Sequence, residues 1–247
     1  MPLWSELTRR EFQKASRNTH VVLMVTGALE PHGMHMALGT DIILPTYLAE
    51  KIAKRTEAMV LPAIPFGDSW SFDLYEGTVS VSPETLVSLY ADVMTSVFRN
   101  GFRYLVALNG HGPNATLLEQ AAKKATMAGE RVVIIVNWWI DLAKDVRKIV
   151  LESPEGHAAE DETSELMFIR PDLVDISAAM KKSVKTKYRI VSAGYREELY
   201  PAAILGDPTL ASEEKGRLII EQAETELVEL ISQLERGEVP LEKEPRS

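Results

Sequence analysis

Tyr104-Leu105-Val106-Ala107-Leu108-Asn109-Gly110-His111-Gly112-Pro113-Asn114 is the stretch that decides the fold. Its first five residues are apolar whichever way they point. An Asn-Gly turn signal ends them, and a helical pattern follows, with Asn114 as its candidate cap and Ala128 as its end. Such a run is typical of a parallel strand covered by helices on both faces. Outward from it, Val21-Val22-Leu23-Met24-Val25, ended by Gly27, predicts another strand. Ala58-Met59-Val60-Leu61, stopped by Pro62 and Pro65, predicts a third, and Val132-Val133-Ile134-Ile135-Val136 a fourth. Helical spacing marks residues 43–54, 161–169 and 212–234. Ser82-Pro83-Glu84 predicts a further helix reaching Arg99, with serine at the cap and proline at the first helical position. The alternating order implies an α/β fold with a mostly parallel central sheet. Residues 1–236 show no repeat or linker and are expected to form one domain, followed by a charged tail over 237–247.

Composition narrows the function. The 247 residues carry a net charge of −9, which argues against nonspecific binding to nucleic acid or an anionic membrane. There is no apolar run long enough to span a bilayer, so a soluble cytoplasmic protein is the expectation. There are no cysteines, so any metal would be held by nitrogen and oxygen.

Histidine is scarce, yet four of the five sit in three short segments beside acidic residues. These are Glu30-Pro31-His32-Gly33-Met34-His35 with Thr40-Asp41, Asn109-Gly110-His111, and His157-Ala158-Ala159-Glu160-Asp161-Glu162. Imidazole and carboxylate are the ligand set for zinc, manganese or iron. The first two segments follow strands, and ligand sites in parallel α/β proteins gather at the carboxyl ends of strands. Glu30 and His32 alternate by two and would face one side in extended backbone. Asp41 taken alone reads as a helix cap. Taken with the others, it reads as a carboxylate able to bridge two ions, which together would polarise a carbonyl and acidify a water.

In consistent order over about residues 4–235, these segments resemble the creatininase (creatinine amidohydrolase) family. Gly77-Thr78-Val79-Ser80 and Gly206-Asp207-Pro208 agree with it as well. The resemblance implies a three-layer α/β/α sandwich, a homo-oligomer (commonly a hexamer) and a hydrolase with two divalent ions. Zinc is the first expectation, with manganese or iron as alternatives. By motif, Glu30, Asp41 and His111 would hold one ion, and His32 and Asp41 would begin the second site. Creatininase itself completes that second site with a glutamate two residues after the Asn-Gly-His histidine, where this chain has Pro113. Glu160 is the expected replacement. His157 matches the proton donor to the leaving group, with Glu162 orienting it or a ligand. Trp138, Trp139 and His35 are the expected substrate contacts; for the two tryptophans, packing against the core is an equal reading.

The expected substrate is a small, polar, cyclic molecule cleaved at a C–N bond. Creatinine itself is not favoured, because Pro31, Met34, Met36 and Ala37 depart from the family's usual loop. Opening of an inositol-derived cyclic diketone, peptide maturation and a silent metal-binding oligomer are the alternatives.

Overall fold

The computed structural model describes residues 3–241, so the last six residues of the expected tail lie outside the described residues. Four parallel strands, β1 (Val21–Thr26), β2 (Met59–Val60), β3 (Tyr104–Asn109) and β4 (Val132–Asn137), form one sheet in the order β2-β1-β3-β4. The helices in chain order are α1 (Arg9–Ala15), α2 (Thr40–Arg55), α3 (Pro83–Arg99), α4 (Asn114–Ala125) and α5 (Trp138–Asp141). They continue with α6 (Lys144–Val150), α7 (Glu160–Ile169), α8 (Arg196–Leu199) and α9 (Glu213–Glu235).

Strand alternation sorts the core into two layers. Val21, Leu23, Val25, Tyr104, Val106 and Leu108 pack with Leu44 and Leu48 of α2, Leu166 of α7 and Ile220, Leu227 and Ile231 of α9. Val22, Met24, Leu105 and Ala107 point the other way, onto Leu86, Tyr90 and Met94 of α3 and Leu117 and Leu118 of α4. The sheet is therefore sandwiched, as the apolar runs require. Each fully buried leucine or isoleucine adds roughly 1.5–3 kcal/mol.

The expected second strand is shorter than Ala58–Leu61. Pro62 has no N–H, so regular pairing ends at Val60. Single bonds prolong the contact, from Leu61 N–H to the Leu23 carbonyl and from Ile64 N–H to the Val25 carbonyl. No helix among the described residues is long and apolar enough to cross a membrane.

Candidate metal centre

The carboxyl ends of β1, β3 and β4 are tied together by Asn109. Its amide NH2 donates to Asn137 Oδ1 at 2.9 Å and to the His111 carbonyl at 2.8 Å. Its Oδ1 accepts from His111 N–H at 3.1 Å and Thr26 Oγ1 at 3.2 Å. This bracket fixes the loop that carries His111. Two glycines bring the first turn of α2 against it. A Cβ at Gly27 would lie 2.2 Å from the Asp41 carbonyl oxygen, and one at Gly110 would lie 2.0 Å from the same atom. Only hydrogen at both positions lets α2 approach this closely. Asp41 is therefore no cap: Gly39 holds that position, and the Asp41 side chain turns inward.

Two tripods meet at Asp41. Its Oδ2 lies 2.8 Å from His111 Nδ1, and its Oδ1 lies 3.0 Å from His32 Nε2. Glu30 Oε1 stands 3.3 Å from His111 Nδ1, and Glu162 Oε1 stands 4.0 Å from His32 Nε2. Glu30, Asp41 and His111 form one group able to hold a metal, His32, Asp41 and Glu162 form another, and Glu30, His32 and His157 form a third. The ligand atoms of each lie within 4.8 Å of one another.

Donor chemistry fits cations. His32 Nδ1–H donates to the Glu30 carbonyl at 3.1 Å, and His111 Nε2–H donates to the Asp68 carbonyl at 2.8 Å. Each ring is thereby oriented with its other nitrogen facing carboxylates, the usual support for a metal-ligating histidine. Both Glu30 oxygens are buried and accept no hydrogen bond. Burial opposes charge on His32, yet Asp41, Glu162 and Glu30 outweigh it and push its pKa up to about 9. Burial is likewise overcome at His111, which Glu30 and Asp41 raise well above the ordinary value. Burial would raise Asp41, but His32 and His111 hold it well below the usual carboxylate range. Glu162 is pushed up to about 8 by burial, against the opposing pull of His32.

His157 borders both tripods. Its Nε2–H donates to the Pro31 carbonyl at 2.9 Å, leaving Nδ1 at 3.8 Å from Glu30 Oε1. Phe72 stacks on its ring at 4.3 Å, and Tyr200 meets Phe72 edge-on at 5.4 Å. Burial, then the charge of His32, lowers its pKa to about 4. The following residue, Ala158, is fully buried with φ of 52°, a left-handed conformation that costs a non-glycine residue roughly 1 kcal/mol. Glu162 Oε2 accepts from its N–H at 2.6 Å, so one carboxylate braces the His157 loop and faces His32. The centre opens into a cleft of about 280 Å³, walled by Ser71, Phe72, Trp139, Arg189, Tyr200 and Leu205.

A family model described as Creatininase: Creatinine amidohydrolase matches residues 5–231. The chain belongs to the creatininase family. It is a metal-dependent hydrolase of that family. A creatinine amidohydrolase of Pseudomonas putida is 30% identical over 237 residues, covering 87% of this chain and 90% of the relative. The 3-dehydro-scyllo-inosose hydrolase of Thermotoga maritima is 26% identical, covering 85% and 76%. A mycofactocin precursor peptide peptidase of Mycobacterium ulcerans is also 26% identical, covering 96% and 94%. Among solved structures, a manganese creatininase superposes with a TM-score of 0.84 at 27% identity, covering 94% of this chain and 98% of the other. A creatininase variant of Zn-Zn type gives 0.83 at 26% identity, with the same coverage.

Within this creatininase-family frame the structure corrects several expectations. Glu160 does not reach the tripods. Its carboxylate takes Lys215 Nζ at 2.6 Å, Ser153 Oγ at 2.7 Å and the N–H groups of Glu152 and Ser153. The physical reason is helical: residues two apart in α7 point about 200° apart, so Glu160 and Glu162 cannot serve one site. Glu162 is the one that faces His32. His35 is not a cleft residue either. The loop doubles back through bridges from His32 to Met34 and Met36, and His35 Nε2 meets Thr163 Oγ1 at 3.1 Å in the interior. Trp138 is buried, 5.2 Å from the Arg147 guanidinium, while Trp139 lines the cleft. Asn114 is not the cap of α4, a position held by Pro113; its side chain joins the Gly27 carbonyl to Asp68 N–H. Phe72, Ser71, Tyr200 and Arg189 went unread in the sequence. They come from loops with no motif of their own.

Proposed function

We propose that this protein is a dinuclear hydrolase of a small cyclic amide, with Glu30, Asp41 and His111 holding one divalent ion and His32, Asp41 and Glu162 the other. The observation that carries this reading is Asp41, one oxygen on each imidazole at 2.8 and 3.0 Å. Two ions held there would polarise the scissile carbonyl and acidify a water at neutral pH. Zinc and manganese fit the nitrogen and oxygen donors, and both metals occur among the related creatininases.

His157 enters the reaction neutral, because its pKa is depressed. Its Nε2–H is committed to Pro31, so Nδ1 is the atom that takes a proton from water and passes it to the leaving nitrogen. Water oxygen joins the carbonyl carbon, the C–N bond breaks, and the products are a carboxylate and an amine. Phe72 keeps the His157 ring in one plane during both transfers. The modest cleft favours a small ring over a peptide as substrate.

Elemental analysis tests the ligand sets. Glu162→Gln is expected to lower metal content from about two equivalents per chain to about one, while Glu160→Gln keeps both. The reverse result would restore Glu160 as a ligand. His157→Ala is expected to retain both ions and lose about 10²- to 10⁴-fold in kcat on whichever cyclic amide or inositol-derived ketone is turned over. Full activity in that variant would remove His157 from the mechanism, and turnover confined to the ketones would shift the cleaved bond to C–C.

A further inference from the structure

We propose that Arg189 makes this cleft selective for cyclic amides that carry a carboxylate; the inference rests on the hydrolase reading above and names its substrate class. Lys181-Lys182-Ser183-Val184-Lys185-Thr186-Lys187-Tyr188-Arg189 holds five cations and no acid, in a chain of net charge −9. The backbone anchors this strap beside the catalytic histidine. Lys182 and Gly206 exchange N–H to carbonyl bonds at 3.0 and 2.7 Å, and His157 and Leu205 do the same at 3.1 and 2.8 Å.

The strap's cations differ in what they meet. Lys181 is engaged by Asp207 at 2.9 Å, and Lys187 lies over the Tyr188 ring. Arg189 lines the cleft, is exposed, and makes no ion pair or hydrogen bond among the described residues. It is also the one lysine or arginine side chain among the cleft's lining residues.

Charge complementarity decides the ligand. The three carboxylates of the two tripods offset only three of the four positive charges of two divalent ions, so the loaded centre is already net positive. A free guanidinium in the same cleft adds another positive charge. A neutral amide would leave both excesses unmatched, whereas an attached carboxylate answers them. The planar fork of arginine matches a carboxylate bidentately, which gives orientation as well as affinity. The amide can then lie at the metal end with its acid group held by Arg189.

Calorimetric titration of the metal-loaded full chain tests this with two matched pairs: pyroglutamate against 2-pyrrolidinone, and dihydroorotate against dihydrouracil. Wild type is expected to bind the acid of each pair about tenfold more tightly than its neutral partner. Arg189→Ala should erase that preference, Arg189→Lys should keep part of it, and Lys187→Ala should keep it all. Metal content of each variant, equal to wild type, reports an intact centre. The proposal falls if wild type shows no preference for the acids, or binds neither member of either pair at millimolar concentration. It falls equally if Arg189→Ala keeps the preference, as direct ligation of the metals by the carboxylate would cause, or if Lys187→Ala loses as much. Failure of the hydrolase reading looks different: no bound metal in the wild type, or acid binding that depends on Arg189 with no hydrolysis of any amide.

Discussion

Replacing Asp41 with asparagine is expected to empty both metal positions and lower kcat/KM by about 10³-fold or more, around 4 kcal/mol of transition-state stabilisation. Both proposed sites share this one carboxylate. Asp41 Oδ1 faces His32 and Oδ2 faces His111, so an amide that keeps its shape but loses its charge weakens both tripods together. Of the two proposed ligand sets, Glu30 belongs only to the one with His111, so Glu30→Gln should leave about one ion per chain. Metal analysis of the two variants side by side therefore separates a shared ligand from a private one. Two ions retained in Asp41→Asn would sink the bridging role and leave two independent mononuclear sites. Folding is not the hidden variable. The close approach of α2 to Gly27 and Gly110 is made by the Asp41 backbone, which the substitution leaves in place.

The sheet was legible because buried parallel strands announce themselves. Val21–Val25 and Tyr104–Leu108 are apolar at every position, and both layers of the sandwich need them to be. That Glu30, His32, Asp41 and His111 come together was legible for a related reason: they lie at strand ends or in the helix turn against them, where topology alone gathers them. Glu160 was misassigned at the next level. Choosing between two glutamates in one helical turn requires the rotation of α7, and that rotation is set by Ala158, Lys215 and the packing of α9, none of which a motif records. Tyr200 and Arg189 lie still further out of reach. They arrive from long connections that contribute to the cleft only after the sandwich has formed.

Metal-stripped protein is expected to lose stability as pH rises from about 6.5 to 9, while metal-loaded protein changes far less. His32 has a folded pKa of about 9, above its ordinary 6.5. Its contribution is therefore complete below 6.5 and vanishes as pH climbs through 9, a loss on the order of 3 kcal/mol. Glu162, raised to about 8, acts in the same direction: protonated and content at low pH, it must ionise in a buried site as pH rises. Asp41 is shifted down and loses its contribution only in acid, and His35 and His157, both lowered to about 4, titrate below the interval. Glu165, raised to about 8 by burial despite Arg147 at 2.8 Å, adds the same trend with or without metal, so the difference between the two forms isolates the centre. Metals suppress the trend because they replace the protons of His32, His111 and Glu162. Their binding should release about three protons per chain near neutral pH and strengthen with pH. Urea unfolding of both forms across this interval, with metal titrations in two buffers of different ionisation heat, measures each part. Apo stability that stays flat or rises toward pH 9 would mean that the three carboxylates and the imidazoles of His32 and His111 are not a proton-filled cluster.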